Sequence, residues 1–271
     1  MSYQVLARRW RPQTFDQVVG QEPVTRTLRN ALSSRRLAHA LLFAGPRGVG
    51  KTTTARLVAK ALNCEIRPGP DPCNACAACQ EIALGTSVDC LEIDAATHTG
   101  VDHVRSLQEQ LAYHPIRGKS KVYIVDEVHM LSAGAFNALL KTLEEPPPNV
   151  LFILATTEPH KVPATIHSRC QRHDFRKIGP DQIRERLAEI ARAEWVRLDE
   201  DALALLARAA DGSLRDAQSL LDQVIAYCGT EIGGQAVATL LGLVASDALF
   251  AAAGAIAEGA AGRLLELVEE M

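Results

Sequence analysis

Aromatic side chains make up only 4% of this 271-residue chain, so any core it builds must be packed from aliphatic residues. Long hydrophobic runs are also missing. No stretch approaches the roughly 18 uninterrupted apolar residues of a membrane-spanning helix, and residues 1–11 are basic and polar, without the apolar segment of a signal peptide. The expected location is therefore the cytoplasm. No charge of one sign dominates: the net charge is −3, which does not mark a nucleic-acid binder. The charge is unevenly spread, with seven Arg against two acids in residues 1–36 and sixteen acids against seven Arg in 181–271, so a local basic surface stays open. What is present suffices for a real core, at 47% hydrophobic and 23% charged residues, and the length predicts two domains or slightly more.

Short apolar runs alternate with helical patterns: 41–44 then 51–62, 88–93 then 101–112, 122–125 then 132–143, and 151–155 last. The alternation predicts an α/β fold, a parallel sheet with helices on both faces, its strands buried on both sides. After Pro180 the texture becomes rich in Ala and Leu, and helices are expected over 182–193, 200–210, 214–227 and 235–243, with Asp199 and Ser213 as N-caps. Two more helical segments, 247–257 and 263–270, follow Ser246. The expected domains are 1–179, 180–243 and 244–271, the last read as the start of a third domain in a truncated chain.

Gly45-Pro46-Arg47-Gly48-Val49-Gly50-Lys51-Thr52 has phosphate-loop spacing and lies between an apolar strand and a helix. Its glycines let backbone N–H groups turn toward phosphates, Lys51 neutralises phosphate oxygens, and the Thr52 hydroxyl suits Mg²⁺. About seventy residues on, Asp126 and Glu127 end an apolar strand. Asp126 is expected in the Mg²⁺ shell, with Glu127 polarising an attacking water, a pairing that favours hydrolysis over binding alone. Thr157 after the next strand reads locally as a γ-phosphate contact or a turn former. Arg215 reads as a nucleotide contact or the partner of Asp211 or Asp216.

Cys64, Cys73, Cys76 and Cys79 have spacings that suit a tetrahedral metal site, and a stiff loop containing Pro68, Gly69, Pro70 and Pro72 lets Cys64 fold back onto the other three. Cys73, Cys76 and Cys79 are expected to converge from one tight helical turn. Four thiolates with no open position favour structural Zn²⁺, with an iron–sulfur cluster or packed thiols as the alternatives. Cys90, Cys170 and Cys228 are read as reduced, packed thiols.

Together with the segment from Tyr3 to Pro12, Val18-Val19-Gly20-Gln21, Asp126-Glu127-Val128-His129-Met130-Leu131, Lys141-Thr142-Leu143-Glu144-Glu145-Pro146-Pro147, Ser168-Arg169-Cys170 and Gly212-Ser213-Leu214-Arg215-Asp216-Ala217, these motifs cover nearly all of the chain. In them the sequence resembles AAA+ ATPases of the clamp-loader kind. The resemblance implies an AAA+ nucleotide-binding domain with a zinc module at 64–79, a helical lid and the beginning of a collar. It implies ATP, Mg²⁺ and Zn²⁺ as cofactors, with nucleotide contacts from 45–53 (including Thr53), Arg11, Pro12, Val18, Val19, Leu214 and Arg215. It makes Thr157 a sensor of the γ-phosphate, Arg215 a lid sensor and Arg169 an arginine finger that enters a neighbouring subunit's site.

The implied partners are other clamp-loader subunits in a heteropentamer, a sliding clamp and primed DNA, with Thr97, Thr99 and Arg105 as candidate DNA contacts and no membrane. Without a collar the chain is expected to be monomeric. The competing readings are a branch-migration type of AAA+ DNA translocase, which leaves the cysteines and Ser168-Arg169-Cys170 unexplained, and a non-hydrolysing scaffold, which intact Lys51, Thr52, Asp126 and Glu127 oppose.

Overall fold

A computed structural model describes residues 4–66, 69–97, 100, 114–242 and 246–270. Among the described residues, β1 (Ala40–Ala44), β2 (Cys90–Asp94), β3 (Lys121–Asp126), β4 (Val150–Thr156) and β5 (Gln171–Asp174) form one parallel sheet in the order β2-β3-β4-β1-β5. Side chains one residue apart along a strand point to opposite faces. Leu41 and Phe43 of β1, Val122 and Ile124 of β3, and Leu151 and Ile153 of β4 accordingly pack on one face, with the helices Glu22–Ser33 and Lys51–Asn63. Leu42, Tyr123, Val125, Phe152 and Leu154 pack on the other, with the helix Ala133–Glu144. The three central strands are thus covered on both sides, as their unbroken aliphatic runs require.

The two edges differ from this pattern. β2 starts at Cys90, not at residue 88, and its burial alternates, with Glu92 held by Arg56 of the Lys51–Asn63 helix at 2.6 and 2.9 Å. β5 was not foreseen in the sequence: Gln171-Arg172-His173-Asp174 is polar, and of these only His173 is buried. β5 is held by its register against β1, Leu41 to Gln171 through Ala44 to Asp174. The helix expected over 101–112 lies outside the described residues.

Helices Pro180–Ala193, Glu200–Ala209, Leu214–Cys228 and Gly234–Leu241 enclose a separate aliphatic core around Ile183, Leu187, Leu206, Leu221 and Val224. Asp199 caps its helix by accepting from Ala202 N at 2.6 Å, and Ser213 caps the next by accepting from Asp216 N at 3.2 Å. A two-residue parallel pair, β6 (Arg197–Leu198) with β7 (Glu231–Ile232), joins this bundle and had no sequence signal. The beginning of the chain docks here too: Leu6 N donates to Asp222 Oδ2 at 2.8 Å, and Trp10 Nε1 donates to Glu194 Oε1 at 2.8 Å. Helices Ser246–Ala257 and Ala261–Glu270 follow. No helix among the described residues is long and apolar enough to cross a membrane.

Phe152 is fully buried at the sheet centre and stacks on Tyr123 with centroids 5.4 Å apart. Phe152→Ala should cost about 3–5 kcal/mol of unfolding free energy, measurable in a urea titration.

Candidate functional site

The phosphate loop leaves the carboxyl end of β1 and meets the first turn of the Lys51–Asn63 helix, where open parallel sheets bind ligands. Gly48 adopts φ +72°, and a Cβ there would lie 1.9 Å from Ser213 Oγ and 3.2 Å from Arg215 Cβ. Only a residue without a side chain lets the start of the Leu214–Cys228 helix sit directly on the loop. Arg215 N donates to Gly48 O across the same contact at 3.3 Å. Gly45, at φ +153°, leaves no space for a Cβ either, because the Phe175 carbonyl oxygen would stand 2.4 Å from it.

Lys51 is buried, and its Nζ donates to the Gly45 and Pro46 carbonyls at 2.8 and 2.7 Å. Burial lowers its pKa from the ordinary lysine value, against the opposing pull of the Glu127 and Asp126 carboxylates. The next residue, Thr52, donates from Oγ1 to Asp126 Oδ2 at 2.7 Å, joining two motifs 74 positions apart. β4 lies between β1, which leads into the loop, and β3, which ends in Asp126, so their approach is made by the sheet.

Glu127 follows β3 in a left-handed conformation, φ +48°, uncommon for a residue with a side chain and typical of functional turns. Its Oε2 accepts from Thr157 N at 3.1 Å and Thr157 Oγ1 at 2.8 Å. His129 adds a third neighbour, with Nδ1 3.3 Å from Glu127 Oε2 and 3.0 Å from Thr156 Oγ1, while Nε2 lies 3.3 Å from Glu158 Oε1. His129 belongs to the motif from Asp126 to Leu131, yet only the fold reveals its place beside Glu127.

Lys51, Thr52, Asp126 and Glu127 border an open cleft, while Thr157 and His129 hold Glu127 without lining it themselves. Arg47 through Thr53, Asp126 and Glu127 line it, as do Arg11, Pro12, Val18, Val19, Leu214 and Arg215. Ala7, Ile178 and Gln218 also line it without having been foreseen. Gln218 is four residues after Leu214, so helical spacing could have found it. The pKa of Arg11 is lowered by burial first and then by Arg56, with Glu92 opposing and Arg215 adding to the fall, so cations crowd this wall. Asp211 pairs with Lys177 at 2.7 Å, which excludes neither a nucleotide-facing Arg215 nor its contact with Gly48.

Arg169 lies elsewhere. It precedes β5, whose first residue pairs with Leu41, whereas the phosphate loop begins after Ala44. At about 3.3 Å per strand residue, this separates the two by roughly 10 Å or more along the sheet. Within its own chain Arg169 donates to the Thr165 carbonyl at 2.9 Å and pairs with Glu144. Of the candidate DNA contacts, Thr97 donates from Oγ1 to Asp94 O at 3.0 Å, while Thr99 and Arg105 lie outside the described residues.

The four cysteine sulfurs lie within 4.8 Å of one another, with Cys73 and Cys79 at 3.9 Å. A tetrahedron with zinc–sulfur bonds of about 2.3 Å has edges of about 3.8 Å, so the cluster has the dimensions of such a site. The cysteines do not share one helical turn as expected. Cys73 is in a loop, Cys76 is the N-cap of the helix Ala77–Leu84, and Cys79 is in its first turn. The αL conformation of Asn74, φ +58°, bends the loop so that Ala75 N and Cys76 N point at Cys73 Sγ, 3.4 and 3.3 Å away. Burial opposes the Cys76 thiolate, but backbone donors, Glu65 first, outweigh it and lower the pKa.

Residues 20–179 match the family described as DNA polymerase III, delta subunit, and residues 182–230 match the DNA polymerase III clamp loader subunit, ATPase lid domain. DNA polymerase III subunit tau of Bacillus subtilis is 56% identical over 84% of this chain and 41% of its own length. Subunit tau of Escherichia coli is 52% identical over 100% of this chain and 42% of its own length. Subunit gamma of Buchnera aphidicola from Acyrthosiphon pisum is 45% identical over 90% of this chain and 68% of its own length. The chain belongs to the tau/gamma family of DNA polymerase III subunits. It spans about two fifths of the length of the two tau relatives.

A structure of Thermotoga maritima RuvB superposes with a TM-score of 0.62 at 19% identity, covering 91% of this chain and 79% of that one. It shows that the two share a fold, a parallel sheet with helices on both faces followed by a helical domain.

Gly48→Ala should destabilise the chain by about 2 kcal/mol, since it adds both a clash and a strained φ. Unfolding of Gly48→Ala, Ser213→Ala and the double variant should show clear non-additivity, because Ser213 Oγ is the atom in the way.

Proposed function

We propose that this chain is the ATPase portion of a replicative clamp-loader subunit, using ATP binding and hydrolysis to open a sliding clamp and place it on primed DNA. The observation that carries the reading is the bond from Thr52 to Asp126 at the mouth of the phosphate loop. Two hard oxygen donors of this kind suit Mg²⁺. Thr52 and Asp126 would hold the ion, which supplies positive charge against the phosphates. The backbone N–H groups of 45–53 would cradle those phosphates, and Lys51 would exchange the loop carbonyls it now holds for phosphate oxygens. Arg11, Pro12, Val18, Val19 and Leu214 would enclose the base, with Arg215 carrying the lid's response to the nucleotide.

Glu127 acts on the attacking water in this reading. Thr157 holds its carboxylate through Oε2, leaving Oε1 as the oxygen to take the water's proton, and the same contact lets Thr157 sense the γ-phosphate. Arg169 stands away from its own chain's cleft, which supports a role in a neighbour's. There it would offset charge building on the transferred phosphoryl group. Other clamp-loader subunits of a heteropentamer are its proposed neighbours, and a cytoplasmic location follows from the proposed role.

We assign 1–179 to the nucleotide-binding domain, 180–243 to the lid and 244–271 to the start of a third domain. The four cysteines would hold one structural Zn²⁺, which supplies a cross-link to the loop.

Lys51→Ala should abolish ATP binding by isothermal titration. Arg169→Ala should bind ATP as the native chain does, yet lower clamp- and DNA-stimulated hydrolysis in a reconstituted loader by about 10³-fold or more. Equal loss of binding in both variants would remove the in-trans role. Metal analysis of the native chain should give one zinc per molecule, and a folded, metal-free preparation with four titratable thiols would refute the zinc assignment.

A further inference from the structure

Residues 11–19 supply four of the side chains that line the cleft, yet they contain a single turn of 3-10 helix, Phe15–Gln17, and no strand. Fixing such backbone costs roughly 1–2 kcal/mol per residue, so something outside the segment must hold it. Burial of Phe15 in the sheet's core is one anchor. Two further anchors come from the cysteine loop. Phe15 N donates to Asp71 Oδ1 at 3.0 Å, and Asn74 Nδ2 donates to the Gln13 carbonyl at 3.0 Å. Asp71 Oδ2 also pairs with Arg29 at 2.9 Å, and Arg29 in turn pairs with Asp16, closing a ring around the Phe15 turn.

We propose that the cysteine module positions the nucleotide cleft, with Asp71 and Asn74 clamping residues 13–15 so that Arg11, Pro12 and Val18 are held against the phosphate loop. Asn74 lies between Cys73 and Cys76, and Asp71 lies two residues before Cys73, so a cross-link through the four sulfurs fixes both clamping side chains at once. The buried Lys60, on the helix that starts at the phosphate loop, completes the connection. Its Nζ donates to Gln13 Oε1 at 2.6 Å and Asn74 Oδ1 at 3.1 Å. Three parts of the chain separated by 14 to 61 positions thus meet at one point beside the cleft. The module's work is mechanical: it touches no phosphate and removes no proton.

The proposal rests on the nucleotide and zinc readings given above, and four measurements on the 271-residue chain separate it from them: zinc content, thermal unfolding, affinity for a fluorescent ATP analogue, and amide exchange over 13–18. Asn74→Gly keeps the left-handed backbone and removes the amide, and Asp71→Ala removes the acceptor of Phe15. Each should retain one zinc and a folded chain, exchange faster over 13–18, and bind the analogue about threefold to tenfold more weakly, the range of one lost hydrogen bond. Asp71→Asn keeps an acceptor oxygen and should bind as the native chain does. Stripping zinc with a chelator should reproduce the Asp71→Ala behaviour. Native affinity and native exchange in both loss variants, with zinc retained, would overturn the clamp. A native chain that binds no analogue would instead overturn the nucleotide reading, and one that holds no zinc would overturn the metal reading. Exchange over 13–18 in the two loss variants decides the clamp in either case.

Discussion

The position of β1 in the sheet is the constraint on which the rest depends. β1 pairs with β4 on one side and β5 on the other, so the loop at its carboxyl end opens beside the end of β4, with the acids of β3 one strand further on. The bonds Thr52–Asp126 and Thr157–Glu127 are both consequences of that order. A sheet in simple sequential order would set the same motifs on a different line, and the loop would face other residues. Aliphatic burial on both faces of the three central strands makes the order hard to alter.

The chemistry was legible where it is written in local spacing. A phosphate loop needs glycines at fixed intervals because its backbone must turn inward, and those intervals survive in one dimension. The central strands were legible for a similar reason, since burial on both faces leaves runs such as Val122-Tyr123-Ile124-Val125 with no polar interruption. β5 was not, because an edge strand with one buried residue need not look apolar. Ala7, Ile178 and Gln218 reach the cleft only through the packing of three distant segments, and a short window cannot record that. His129 is a middle case: its motif was visible, but its contact with Glu127 depends on a left-handed turn in the backbone.

The cysteine loop shows how a small insertion without much apolar surface can become a structural part. Buried Cys64, Cys76 and Cys79 give it a minimal core, and its polar side chains Asp71 and Asn74 reach the backbone of the first segment. Asn149 and Trp195 share with Asn74 a positive φ, but only Asn74 combines that turn with bonds to the first segment and to Lys60 among the described contacts.

The separation of Arg169 from the cleft gives the molecule a polarity. If the arginine serves a neighbour, identical faces cannot satisfy each other, and association must run front to back. In such a row each junction turns one arginine toward one cleft. One terminal member presents an arginine to nothing, and the opposite one has a cleft that no arginine reaches. An open arc therefore distinguishes its first position from its last without any difference in sequence, while a closed ring erases the distinction.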